Sequence, residues 1–115
     1  MKKGKREHSR VDVSWPVTMS TSKQLIIGEI KNISESGELI SCREVPSSEE
    51  TLKLMIEITD LFYVSATVEN VRFNVDDSPS GPIAYYLAVR FIEITEDERL
   101  ILCNAIELET RNKNH

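Results

Sequence analysis

The feature that most constrains the fold of this chain is a two-residue repeat of apolar side chains. Apolar residues occupy alternate positions from Val11 to Met19, with polar residues or Pro16 between them, and the same spacing returns in residues 52–58. Successive side chains of a β-strand point to opposite faces of a sheet, so this period predicts half-buried strands. Because the pattern fills most of the chain before residue 95, we expect a mainly β protein.

Further β-rich runs are separated by polar turns. A turn at residues 20–23 leads into a strand at residues 25–33, which predicts a hairpin with the first strand. A short run covers residues 39–42, and the last strand is expected at residues 83–92. The run at residues 63–75 changes parity between Val68 and Val71, which predicts a bulge or a strand bent around a closed sheet. Pro16 lacks an N–H and is expected at an edge or a bulge.

The period changes after the last strand. Residues 95–98 match a capping box, in which Thr95 and Glu98 bond each other's backbone at a helix start. The expected helix has about four turns and an apolar face made of Leu100, Ile101, Cys103, Ala105, Ile106 and Leu108. Six or so strands followed by one helix, without β-α-β alternation, predict a small antiparallel β-barrel that the C-terminal helix closes or plugs.

Length, cysteine content and charge narrow the possible functions. One domain of 115 residues can bury a core without disulfides, so Cys42 and Cys103 are expected as reduced, buried thiols, and no metal site is predicted. Residues 1–10 carry five Lys or Arg against one Glu, a net of +4, so the other 105 residues carry −9 to reach −5. An acidic body with a basic arm disfavours DNA or RNA but suits a small anion.

Two short stretches carry polar side chains that are able to bind a ligand, beyond what a turn or a solvated arm requires. Asn32, Ser34 and Gly37 lie between two strands, where Asn and Ser can bond a ligand and Gly permits its close approach. Arg6 and Arg10 lie four residues apart in the basic arm, and each offers a planar fork of donors to an anion. We predict that these stretches meet around one anionic ligand.

The two stretches together resemble the signature of a known family. Arg6-x-x-x-Arg10, followed 22 residues later by Asn32-x-Ser34-x-x-Gly37, is similar to the paired RxxxR and [D/N]xSxxG motifs of PilZ domains, bacterial receptors for cyclic diguanylate (c-di-GMP). The resemblance covers essentially the whole chain. It implies that residues 11–110 form a single PilZ-like domain, a six-stranded antiparallel β-barrel with a C-terminal α-helix, and that residues 1–10 are a flexible, basic arm that clamps the ligand. The ragged polarity at the end of the sequence predicts a frayed tail at residues 111–115. The chain departs from the usual pattern after Gly37, where Glu38 makes the flank more polar.

The resemblance also implies roles for the motif residues. Arg6 and Arg10 would each take a guanine edge or a phosphate, since guanine O6 and N7 are paired acceptors that suit an Arg fork. Asn32 and Ser34 would hold the second guanine, and Gly37 would leave room for it. Lys5 is a further candidate, because its position influences whether PilZ domains bind one ligand or a stacked pair.

The function implied is that of a cytoplasmic, non-catalytic receptor for c-di-GMP, without a cofactor or membrane insertion. On binding it would order its arm and signal to an unidentified effector protein in motility, biofilm or exopolysaccharide control, as a monomer or weak homodimer. The alternative is a PilZ-fold adaptor that contacts proteins without nucleotide. A small-barrel nucleic-acid binder would need a wider positive surface. An enzyme is disfavoured, since neither metal ligands nor an acid-base pair can be discerned.

Overall fold

Six strands and one helix make up the part of the chain that the computed structural model describes: residues 10–44, 51–76 and 84–113, without the side chains of residues 76 and 113. The elements are β1 (Val11–Ser20), β2 (Leu25–Ile33), β3 (Gly37–Cys42), β4 (Thr51–Glu57), β5 (Tyr63–Asp76), β6 (Ala84–Glu93) and α1 (Glu96–Lys113). Every pair is antiparallel, and the strands close in the order β1-β2-β3-β6-β5-β4. The predicted barrel with a C-terminal helix is confirmed.

Strand β1 shows how alternation fills the barrel. Trp15, Val17 and Met19 are buried, and the residues between them are exposed or half-buried. The β1–β2 register shifts between Asp12 and Trp15. Pro16 lies beside that irregularity and one residue before the β1–β4 ladder, which begins at Val17. The missing N–H of Pro16 is therefore not needed by that ladder, as the sequence predicted.

Strand β5 has two parts with opposite exposure. Val64, Ala66 and Val68 are buried, and in the part of the chain that the structure describes the β4–β5 ladder extends to the pair of Thr51 and Glu69. The predicted change of parity is confirmed, because the β5–β6 register shifts twice, at residues 67–68 and 70–72. The apolar side chains within and after the second shift are exposed: Val71, Phe73 and Val75.

Helix α1 starts at the predicted cap and is anchored there to the barrel. The Glu98 N–H donates to Thr95 Oγ1 at 3.2 Å, and the Thr95 hydroxyl donates to Glu98 Oε1 at 3.0 Å. The other carboxylate oxygen, Oε2, accepts the Ser65 N–H at 2.8 Å. Because the β5–β6 ladder begins at Thr67, Glu98 satisfies a backbone donor that lies beyond it.

The predicted apolar face of the helix was partly wrong. Leu100 and Leu108 are 62% and 58% exposed, whereas Leu102, which the prediction left out, is buried together with Ile106. Residues four apart share one side of a helix, so Leu102 and Ile106 form the line that packs on the core. The helix also continues to Lys113, three residues into the stretch expected to fray.

Both cysteines are free thiols, as predicted, but the predicted burial is complete only for Cys42. Cys42 is buried in the core, and Cys103 on α1 is half-buried. Burial raises the pKa of both thiols, and the Glu35 carboxylate further raises the pKa of Cys103. Both groups are therefore held in the protonated form, which is the less reactive one.

Candidate functional site

The turn between β2 and β3 is held together by the hydroxyl of Ser34. The Ser34 N–H donates to the Gly37 carbonyl at 2.9 Å, and the Ser36 N–H donates to Ser34 Oγ at 3.3 Å. Ser34 is 1% exposed, and its Oγ also lies 3.2 Å from the Ser36 hydroxyl. The hydroxyl that was predicted to bind a ligand is thus bonded within the turn, and its contact with a ligand stays a prediction.

Gly37 is required by the contact between β3 and β6. A Cβ built at this residue would lie 2.3 Å from the Val89 carbonyl oxygen, much closer than non-bonded atoms approach. Gly37 faces Arg90 across the ladder, and the Phe91 N–H donates to the Ser36 carbonyl at 3.0 Å. Strand packing alone therefore explains this glycine, and its role in admitting a ligand stays a prediction.

Arg10 and Asn32 join the two sequence motifs. The Arg10 Nη1 donates to Asn32 Oδ1 at 2.7 Å across 22 residues of sequence. Arg10 is exposed and Asn32 is half-buried. The β2–β3 register shifts between Ile30 and Asn32, and this places Asn32 opposite Leu39 on the outer face of the barrel. One member of each motif therefore lies on the same patch of outer surface.

Two further arginines lie on this outer face. The register runs from Asn32 across Leu39 and Ala88 to Arg72, and Arg90 lies opposite Gly37. Arg72 and Arg90 are exposed, and Arg90 forms an ion pair with Glu69. The residues that lie between Asn32 and these arginines on the register, Leu39, Ala88 and Gly37, are small or apolar, so this face is suited to an anion with flat rings.

Glu38 lies on the opposite face of the same hairpin. It is 0% exposed, and neither carboxylate oxygen has a hydrogen-bond partner among the described residues. Burial raises its pKa from 4.5 to about 8, and the positive charge of Arg10 opposes that rise. The side chain is therefore mostly a neutral acid at pH 7.

The structure brings together some of the predicted site residues. Arg10 and Asn32 are in contact, and Ser34 and Gly37 shape the turn beside them. Arg6 and Lys5 lie outside the described residues. Sequence reasoning missed Arg72, Arg90 and Glu38 as parts of this region. A signal existed for Glu38, which shares the parity of Ile40 and Cys42 and so falls on the inner face of β3.

Away from this hairpin, an open groove of about 520 Å³ runs beside β1, β4 and the start of α1. It is lined by Thr18, Lys53, Met55, Ser65, Ile94 and Glu98, among others, and none of the predicted site residues that the structure describes borders it. Glu98 is already bonded to Ser65. Within the described ranges no group of three His, Cys, Asp or Glu could hold a metal ion, and no helix is long and apolar enough to span a membrane.

A family model described as the PilZ domain matches residues 4–107 of the chain. A comparison with curated protein sequences gave no match. Among solved structures, the inhibitor of motility MotI/DgrA from Bacillus subtilis is similar with a TM-score of 0.78 at 17% identity, over 96% of this chain and 53% of that one.

Two other similar structures were solved with c-di-GMP. The PilZ domain of YcgR from Escherichia coli matches with a TM-score of 0.73 at 11% identity, over 96% of this chain and 98% of that domain. The complex of MrkH from K. pneumonia matches with a TM-score of 0.73 at 15% identity, over 96% of this chain and 54% of that one. The chain thus spans about half the length of MotI/DgrA and MrkH, and at these identities the likeness concerns the fold.

Proposed function

Because the chain belongs to the PilZ domain family, we propose that it is a bacterial receptor for c-di-GMP and acts as an adaptor rather than an enzyme. The observation that supports the proposal most directly is the 2.7 Å bond between Arg10 and Asn32, which brings together one residue of each motif. The similar domains of YcgR and MrkH were solved with c-di-GMP, which supports the choice of ligand.

The chemistry of the outer face supports the same ligand. Cyclic diguanylate has two phosphates and two guanines, and each guanine presents O6 and N7 as paired acceptors. The exposed fork of Arg10 can take one such edge or a phosphate, and Asn32 can bond a base with its amide. Arg72 lies on β5, beyond β3 and β6 from Asn32, where its exposed guanidinium can hold the second phosphate of the same molecule. Arg90 lies on β6 and is paired with Glu69.

Arg6 and Lys5 belong to the proposed site by sequence. We assign Arg6 the second guanidinium of the clamp and Lys5 a position next to the ligand. Ordering five residues of the arm costs on the order of 5 to 10 kcal/mol of backbone entropy. Charge-assisted hydrogen bonds contribute about 1.5 to 3 kcal/mol each. Five or six of them from two Arg side chains, with base stacking, leave about −8 kcal/mol, which corresponds to micromolar affinity.

The output we propose is a change of surface. When the arm closes over the nucleotide, the arm and the outer face of β2, β3 and β6 become one surface for an effector protein in the cytoplasm. We propose that this effector controls motility, biofilm formation or exopolysaccharide production. The competing candidate is a PilZ adaptor without nucleotide, and the presence of Arg6, Arg10, Asn32, Ser34 and Gly37 favours the receptor.

Calorimetric titration of the full chain with c-di-GMP tests the proposal. We expect Arg10→Ala to nearly abolish binding, because it removes a charge-assisted donor, while its circular-dichroism spectrum stays that of the wild type. Arg43→Ala is the matched control, since Arg43 is an exposed arginine just past the end of β3. Unchanged affinity in Arg10→Ala, or no binding by the wild type, would contradict the proposal.

A further inference from the structure

One carboxyl group beside the motif has no part in the proposed function. Glu38 follows Gly37 directly, is fully buried, and has no hydrogen-bond partner for either oxygen among the described residues. Buried polar groups in folded proteins are ordinarily bonded, so an unpaired acid calls for a physical explanation. Apolar residues fill the equivalent inward positions of β3, at Ile40 and Cys42.

Register places Glu38 behind the outer face that carries Asn32. Its ladder partners are Ile33 on β2 and Val89 on β6, and Ile33 is in turn paired with Val11 on β1. These three residues are buried, so Glu38 lies on the inner side of the sheet. The outer face, with Arg10 and Asn32, is on the other side of the same hairpin, one sheet thickness away.

Among the described charges, Arg10 is the one that acts on Glu38. It lowers the pKa of the carboxyl, whereas burial, the larger effect, raises it. The charged groups on neighbouring strands have partners of their own or are exposed: Glu29 and Lys31 of β2 pair at 3.0 Å, Arg90 of β6 pairs with Glu69 of β5, and Glu93 of β6 is exposed. Helix α1 packs on β1 and β5, and Glu98 there binds Ser65.

We infer that Glu38 is a positioning residue of the nucleotide site. Its ionisation opposes ligand binding, because the ionised carboxylate and the anionic ligand are both stabilised by the positive charge of Arg10. The inference rests on the proposed function. A phosphate or guanine edge bound to Arg10 offsets the guanidinium charge that favours an ionised Glu38. Reciprocally, the negative charge of an ionised Glu38 offsets part of the positive charge of Arg10. This weakens the attraction of Arg10 for an anionic ligand.

The direction of the pH dependence follows from this competition. In the free protein the pKa of Glu38 is about 8. A bound anion raises it further, so the complex holds more protons than the free protein near pH 8. Ligand binding therefore takes up a proton, and affinity falls as pH rises through 8.

Calorimetric titration of the full chain with c-di-GMP at several pH values measures this linkage. If binding raises the pKa of Glu38 by about one unit, affinity is roughly fivefold weaker at pH 9 than at pH 7. Repeating the titration near pH 8 in two buffers of different ionisation enthalpy gives the proton uptake of the wild type directly. We expect uptake of a fraction of a proton at pH 8 and less at pH 6.

Variants of the protein distinguish the titration of Glu38 from the titration of the ligand itself. Glu38→Gln should bind without the additional fall in affinity and without proton uptake at pH 8, and Glu38→Leu serves if the amide variant does not fold. Glu44→Gln removes an exposed carboxylate and should keep the wild-type pH profile. Equal pH profiles in wild type and Glu38→Gln, or no proton uptake by the wild type, would overturn this inference and leave the receptor function standing. Absence of binding at every pH would overturn the receptor function itself.

Discussion

The two faces of the β2–β3 hairpin differ in how they use polar residues. The outer face carries Arg10 and Asn32, which are accessible to water and bonded to each other. The inner face carries Glu38, which is sealed from water and has no partner among the described residues. Placing a polar group on a hydrated surface costs little free energy, whereas burying it in a core costs much. The outer residues can therefore serve ligand binding, while the inner one must affect the stability of the fold.

The largest expected effect comes from removing the inner acid. Because burial raises the pKa of Glu38 from 4.5 to about 8, its contribution to stability is complete below pH 4.5 and is lost as pH rises through 8. That shift corresponds to up to about 5 kcal/mol between the two limits. Glu38→Leu should therefore lose less stability between pH 5 and pH 9 than the wild type, as measured by urea unfolding.

Glu44→Gln, at an exposed acid past the end of β3, controls for the change in net charge. We expect it to follow the wild-type stability profile at every pH. If the stability of Glu38→Leu depended on pH as strongly as that of the wild type, the proposed difference between the two faces would be wrong.

The next largest effect is expected where the hairpin meets β6. Gly37→Ala brings a Cβ to about 2.3 Å from the Val89 carbonyl oxygen, so β3 and β6 must move apart. Overpacking of this kind costs about 1 to 3 kcal/mol, and thermal unfolding should show a lower Tm. Gly28→Ala is the comparison, since its Cβ would lie 2.7 Å from the Ser41 carbonyl oxygen and should cost less.

A wild-type Tm in Gly37→Ala would show that the strands yield freely at this point. The glycine would then be explained by the ligand rather than by strand packing.

The smallest effect on stability is expected on the outer face. Asn32→Ala removes the acceptor of an exposed hydrogen bond, whose net contribution is about 1 kcal/mol or less. The variant should unfold in urea close to the wild type while its affinity for c-di-GMP drops. A loss of several kcal/mol would mean that the Arg10–Asn32 bond holds the fold together, and the distinction between the faces would disappear.

Much of the candidate site was accessible from the sequence because its residues are close along the chain. Ser34 and Gly37 lie in one turn, and Asn32 precedes it, so their neighbourhood needed no tertiary information. The contact of Arg10 with Asn32 spans 22 residues, and its prediction came from the chemistry of the two stretches and from the resemblance to a family rather than from periodicity. Arg72 and Arg90 were missed because they join the outer face only through the pairing of β5 and β6 with β3.

Alternation of apolar residues by itself determined the strands, since a period of two exposes one face and buries the other whatever the strand pairs with. It also determined the parity change in β5, and the capping box determined the helix start at Thr95, because both are local features. Only the tertiary structure decided which face of α1 packs on the core, because Leu102 rather than Leu100 meets the barrel. It also decided that Glu38 is enclosed, because one of the two strands that flank it, β6, comes from a distant part of the chain.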